Sequence, residues 1–163
     1  MDQLWTPWRM PYLRGETSHP DECVFCNKVD ADDAAEFVVA RSEHVYATLN
    51  LFPYNTGHVL VVPCAHVADI TDLPLLTLTD LMRTAQEAVA ALRAVYHPAA
   101  FNIGINVGPA AGAGIAEHLH LHVVPRWPGD TNFMTVIGET RIIPDMLEDT
   151  YRHLRQAWPP RQP

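Results

Sequence analysis

Apolar side chains at positions 78, 81, 82, 85, 89, 92 and 95 follow one another at steps of three and four. That spacing marks one face of an α-helix. It predicts a long amphipathic helix over residues 75–96, with Leu78, Leu81, Met82, Ala85, Val89, Leu92 and Val95 turned to the core. Elsewhere the period shortens. Residues 37–40 and 44–49 predict two strands joined by the polar Arg41-Ser42-Glu43, a hairpin by its spacing. A turn at Pro53-Tyr54-Asn55-Thr56-Gly57 leads into residues 58–63, a buried strand ended by Pro63. From Phe101 to Val107 apolar and polar residues alternate, placing Asn102, Gly104 and Asn106 on a common face. Residues 118–124 read His-Leu-His-Leu-His-Val-Val. They predict a strand that is apolar on one face and carries three imidazoles on the other, roughly 6–7 Å apart along the backbone.

The two ends of the chain are less regular. Leu4 to Leu13 concentrates aromatics and prolines without a period, and is expected to be an extended arm packed on the domain or on a partner subunit. Residues 15–22 are polar and read as a loop. Beyond Trp127 a Pro-Gly turn leads to the apolar run 133–137. A last helix is expected over about residues 144–158, with Met146, Leu147, Tyr151 and Leu154 inward. Strands in meander-like runs, with helices between and after them, predict an α+β domain with a mostly antiparallel sheet.

Composition narrows the class of protein. A chain of 163 residues with 48% hydrophobic content has the size and apolar share of one self-sufficient domain. Eleven Lys and Arg against nineteen Asp and Glu leave a formal net charge of −8, so no general attraction to nucleic acid or an anionic membrane is expected. An anionic substrate has to be held by local contacts. With no apolar stretch of about 18 residues and no leader-like start, a cytoplasmic protein is expected. Three cysteines argue against a disulfide framework and leave free thiols or metal binding.

The chemistry concentrates in a few places. Cys23-Val24-Phe25-Cys26 lets two thiolates take adjacent corners of a tetrahedron, although a redox pair shares the spacing. His66, just past the strand ending at Pro63, and His118 are candidates for the remaining corners, with Cys64 a competitor better read as a small buried hydrophobe. The three histidines 118, 120 and 122 could themselves hold one catalytic zinc from a single face. Alternatively His120 is a nucleophile, which requires one ring nitrogen to be unprotonated and the other to be fixed by an acceptor. Gly108-Pro109-Ala110-Ala111-Gly112-Ala113-Gly114 is a loop of small residues that allows close backbone approach, as phosphate sites need. A plain linker would look the same; its place directly before the histidine row gives it weight. His19, His44, His97 and His153 read as solvent-facing or satisfied.

With these motifs the chain resembles the histidine triad (HIT) superfamily, whose pattern His-φ-His-φ-His-φ-φ is met at residues 118–124. The likeness takes in the hairpin, the stretch Gly57-His58-Val59-Leu60-Val61-Val62-Pro63 and the long helix. The stretches Leu4-Trp5-Thr6-Pro7-Trp8-Arg9-Met10 and Gly129-Asp130-Thr131-Asn132-Phe133-Met134 further resemble a bacterial branch described as diadenosine polyphosphate phosphorylases or hydrolases. The resemblance implies a HIT-like fold over residues 23–127, behind an arm at 1–22 and before an extension at 128–163 packed on the domain or the partner. It also implies a homodimer in which two five-stranded sheets become one. On the same footing His120 attacks the α-phosphorus of a bound nucleotide, forming a covalent nucleotidyl intermediate, and His122 contacts the phosphate. Cys23, Cys26, His66 and His118 hold a structural zinc. Asn50 binds ribose, Asn106 lies near the phosphates beside the loop Gly112, Ala113 and Gly114, and Trp127 lines the pocket.

One departure stands out. Family hydrolases commonly carry Gln and then Ser or Thr at the positions of Gly114 and Ile115, so here the loop offers the leaving group backbone donors. The activity expected is splitting of diadenosine tetraphosphate, with water or phosphate as acceptor. A nucleoside phosphoramidase, an acyl-adenylate hydrolase and a nucleotide-binding module without turnover are the alternatives.

Overall fold

In the computed structural model, which describes residues 23–130 and 145–161, five strands form one antiparallel sheet in the order β1-β2-β3-β5-β4. They are β1 (Val38–Arg41), β2 (Val45–Leu49), β3 (Val59–Pro63), β4 (Ala100–Ile105) and β5 (Leu121–Arg126). Three helices complete it: the short α1 (Val24–Asn27), the long α2 (Leu75–Tyr96) and the C-terminal α3 (Leu147–Ala157). The expected arm, the polar loop after it, the run 133–137 and the first residue of the last helix, Pro144, lie outside the described residues. Among the described residues no helix is long and apolar enough to cross a membrane.

Alternation along the central strands builds two cores. Val45, Ala47 and Leu49 of β2, Val59 and Val61 of β3, and Leu121 and Val123 of β5 meet Leu81, Ala85, Ala88, Ala91 and Leu92 of α2 and Leu154 of α3. Tyr46, Leu60 and Val62 point the other way and enclose Phe25 of α1 with Val38. Both faces of β2 and β3 are therefore buried, which is why they read as continuous apolar runs. The second face carries the histidine chemistry, because Leu60 is paired with His122 across the β3/β5 ladder.

Four details differ from the sequence reading. The ladder of β5 begins at Leu121, so His118 and His120 precede the strand in an irregular stretch, and only His122 stands on it. Leu119 instead donates its N–H to the Val67 carbonyl at 2.6 Å, pairing this stretch with the chain just past His66. β4 ends at Ile105, so Asn106 lies one residue past it. Met82 and Met146 stand 50% and 68% exposed rather than inward. On α2 the inward stripe passes through Ala85, Ala88 and Ala91, which let the helix approach the sheet closely and leave Met82 at its edge.

The turn before β3 depends on Gly57, whose φ of +76° favours glycine. A Cβ there would lie 2.7 Å from Cδ2 of the fully buried Leu92. Gly57→Ala is expected to cost about 2 kcal/mol from backbone strain and overpacking together. Urea unfolding is the measurement, and an unchanged midpoint would refute the assignment.

Candidate functional site

The short helix α1 is a knuckle rather than a stable helix in its own right, and long-range bonds hold it. Phe25 is buried in the second core, its carbonyl accepts from the Tyr46 hydroxyl at 2.7 Å, and Arg41 of β1 caps the carbonyls of Lys28, Val29 and Ala31. These bonds aim Cys23 and Cys26 at the stretch before β5. Cys23 Sγ lies 3.2 Å from His118 Nδ1, and Cys26 Sγ lies 3.2 Å from His66 Nδ1 and 3.6 Å from His118 Nδ1. One donor atom from each of the four residues falls within 4.8 Å of all the others.

Those separations suit a tetrahedral zinc, whose bonds of about 2.3 Å to sulfur and 2.0–2.1 Å to nitrogen set neighbouring ligand atoms roughly 3.5 Å apart. The outer partner fits as well. His118 Nε2 lies 2.9 Å from the Pro63 carbonyl, which can only accept, so Nε2 carries the proton and Nδ1 keeps its lone pair for the cluster. Burial and the neighbouring Cys23 thiol push the Cys26 thiol up, so holding two thiolates side by side calls for a cation. Cys64 packs at the edge of the second core and is not part of the cluster.

The remaining two histidines of the row are fixed by different partners. Nδ1 of His120 lies 2.9 Å from the His118 carbonyl, so the proton sits on Nδ1 and Nε2 is left with a lone pair. Burial holds its pKa below the usual imidazole value, which keeps that lone pair available at neutral pH. The ring of His122 stands edge-on to it, centroids 4.9 Å apart.

His122 is set by a fourth histidine, His58, which the sequence reading treated only as the start of a buried strand. His58 Nδ1 receives the backbone N–H of Tyr54 at 3.1 Å and the Asn50 Nδ2 amide at 3.2 Å. Being doubly donated to, it has no proton; the neutral ring carries it on Nε2, which donates to His122 Nδ1 at 3.0 Å. The proton of neutral His122 is thereby placed on Nε2, an atom that is buried and has no hydrogen-bond partner among the described residues. Tyr54 covers the pair, its ring stacked at 14° on His122 with centroids 5.8 Å apart. A signal for His58 was present in the sequence, since an imidazole opening a strand buried on both faces needs partners for both nitrogens.

Burial, reinforced by His120, lowers His122 from 6.5 to about 4. Because folding lowers this pKa, the unfolded chain takes up its proton first. The contribution is complete above pH 6.5 and is lost as pH falls towards 4, by at most roughly 3 kcal/mol. His118 and His120 are shifted in the same direction. Melting temperature should therefore drop between pH 6.5 and 4 and drop less in His122→Gln; equal slopes would contradict this.

The other expected site residues gather unevenly. Asn50 lies beside His58, its Oδ1 accepting the Phe52 N–H at 3.0 Å. Asn106 follows the Ile105↔Leu121 pair, level with His120. Gly112 is left-handed, with φ of +83°, and closes a single 3-10 turn, Pro109–Ala111, while Ala113 is buried. Ile115 packs into the second core and offers nothing polar. Trp127 follows β5 and donates its indole N–H to the Tyr96 carbonyl at 3.4 Å.

The HIT domain family matches residues 32–129. The chain is 44% identical over 171 aligned positions to an AP-4-A phosphorylase of Mycobacterium tuberculosis, with all of this chain and 87% of that protein covered. An uncharacterized HIT-like protein of Methanocaldococcus jannaschii is 34% identical over 108 positions, covering 66% of this chain and 81% of its own. A Zn-bound histidine triad family protein from Mycobacterium smegmatis superposes with a TM-score of 0.69 at 36% identity, covering 84% of this chain and 93% of that one.

Proposed function

The chain belongs to the HIT domain family, and from that premise we propose that it splits diadenosine tetraphosphate through a nucleotidyl intermediate on His120, with inorganic phosphate as the second acceptor. The observation that carries this reading is the pairing of an unprotonated His120 Nε2 with a buried N–H on His122 Nε2 that has no partner among the described residues. The first is a nucleophile, and the second is a donor waiting for an acceptor such as a phosphate oxygen. The His120 lone pair forms a bond to the α-phosphorus while the bridging P–O bond breaks and ATP leaves. Phosphate then attacks the same phosphorus, the N–P bond breaks, and ADP is released; water in its place would give AMP. The 44% identity to an AP-4-A phosphorylase supports the choice of phosphate. So does the absence of a polar side chain at Gly114 and Ile115, where the missing side chain of Gly114 leaves room for a second anion.

In this reading the backbone of Gly112, Ala113 and Gly114 and the Asn106 amide hold the phosphates, and Trp127 lines the pocket. Asn50 binds the ribose with the hydrogen-bonding capacity left beyond His58 and Phe52. Cys23, Cys26, His66 and His118 hold a zinc that is structural, since four protein ligands leave no open position for substrate. We take the active form to be a homodimer joined at β4. This strand is an edge of the sheet, and its Ile103, paired with Val123 and so on the side of α2, is 49% exposed. Ile103→Lys should turn the dimer into a monomer in sedimentation velocity, and a parent protein that already sediments as a monomer would rule the dimer out.

The deciding experiment incubates the protein with diadenosine tetraphosphate, with and without phosphate, and follows products. ATP with ADP, formed only when phosphate is present, is the expected result. AMP in either condition points to hydrolysis, and no turnover of this substrate would sink the reading.

A further inference from the structure

Asp130 lies in a stretch that marked the branch by sequence, and the reaction above does not use it. Its carboxylate, only 10% exposed, gathers four donors from two parts of the chain. It accepts from Arg126 Nε and Nη2 at 2.6 and 2.8 Å, from the Trp127 backbone N–H at 3.1 Å and from Asn55 Nδ2 at 2.9 Å. The same Asn55 amide reaches the Pro125 carbonyl at 3.2 Å, while the other arm of Arg126 donates to Asn102 on β4 at 2.8 Å. The turn between β2 and β3 is thus tied through Asn55 to the far end of β5. Asn55 is the residue after Tyr54, whose N–H fills His58 Nδ1 and whose ring lies on His122.

We infer that Asp130 is a positioning residue: through Asn55 it holds Tyr54 against His58 and His122, and so fixes which nitrogen of His122 carries the proton. A pair of neutral imidazoles joined by one hydrogen bond has two arrangements of opposite polarity. In one, His58 Nε2–H donates to His122 Nδ1 and His122 presents an N–H at Nε2. In the other, His122 Nδ1–H donates to His58 Nε2, and His122 Nε2 presents a lone pair that would face a phosphate oxygen unfavourably. The Tyr54 N–H at His58 Nδ1 selects the first. Asn50 Nδ2 adds a second donor, but an amide reverses its polarity by rotation and a peptide N–H does not. Removing Asp130 takes both oxygens from the Arg126 guanidinium and one of two acceptors from Asn55, so the turn loses the anchor that aims that N–H. The catalytic consequence rests on the proposed reaction; the tautomer consequence does not.

The test uses full-length, zinc-loaded protein labelled with ¹⁵N-histidine, as parent, Asp130→Ala, Asn55→Ala and Asp80→Ala. Asp80 is the control, an 11%-exposed carboxylate that accepts from Ser42, the His44 N–H and Arg161 at the opposite end of β2. The parent should show His58 and His122 each as a single Nε2–H tautomer. Asp130→Ala and Asn55→Ala should both give mixed tautomers at His122, with kcat for diadenosine tetraphosphate down roughly tenfold and KM within about twofold, as a misaimed group costs rate more than binding. Asp80→Ala should lower the melting temperature while keeping the parent tautomers and kcat. Parent-like tautomers in folded Asp130→Ala or Asn55→Ala would overturn the inference. Mixed tautomers in a protein whose parent never turns over the substrate would sustain it and refute the reaction alone.

Discussion

Replacing His120 by alanine is expected to lower turnover of diadenosine tetraphosphate by about 10⁴-fold or more, because removing a covalent nucleophile leaves only positioning and electrostatic stabilisation. The size of the effect follows from the bonding of the ring. The His118 carbonyl holds the proton on Nδ1, so Nε2 is the only nitrogen that can attack, and no neighbouring group inherits its place. His122 cannot substitute, because its Nδ1 is occupied by His58 and its Nε2 carries the proton. Intact-mass measurement of the parent, mixed with diadenosine tetraphosphate in the absence of phosphate and quenched, should reveal an adenylyl adduct that is missing in His120→Ala. The variant must also be shown to melt close to the parent, since His120 is only 5% exposed and its removal leaves a cavity. A His120→Ala protein with parent-like rates would remove the nucleophile from the mechanism.

Stripping the metal cluster should have the second large effect, and a different kind of effect. Cys26→Ser, or a strong chelator, is expected to cost on the order of 5 kcal/mol of folding stability, given that structural zinc sites in small motifs bind with roughly 10 kcal/mol or more. Activity should then decay with unfolding and not at the moment of chelation. The contrast decides between this arrangement and one catalytic zinc held by all three histidines of the row. In the latter, chelator would stop the chemistry at once while the melting temperature hardly moved. The geometry already divides the row: His118 faces the thiols, whereas His120 and His122 are each bound through Nδ1 to a carbonyl and to an imidazole.

Much of this was legible in the sequence because it rests on short-range periodicity. The long helix spans the residues that its apolar steps mark, and the strands of the meander fall within a residue or two of their expected ends. Cys23, Cys26, His66 and His118, scattered over 96 positions, were assembled from ligand spacing and resemblance, and the fold brings their donor atoms within 4.8 Å. What stayed hidden depends on tertiary partners. Alternation at residues 118–124 suggested one continuous strand, yet backbone pairing with Val67 takes Leu119 out of the ladder. The outward Met82 reflects how closely three alanines bring α2 to the sheet, which hydropathy does not encode. Tyr54 carries an ordinary turn signal, and which partners the buried His58 takes appears only when the turn folds back over His122.

His118 serves two masters. Its side chain belongs to the metal cluster, while its carbonyl orients the nucleophile, and Phe25, between the two cysteines, touches both His118 and His120 with ring centroids 5.4 and 5.0 Å away. A molecule that unfolds its knuckle after losing its ion would thus lose the aim of His120 with it. In a partly loaded preparation, specific activity would count the metallated molecules, scaling linearly with zinc content while KM stayed constant. Purified batches would then differ in apparent kcat for a reason that has nothing to do with substrate, and a zinc titration would read as an active-site titration.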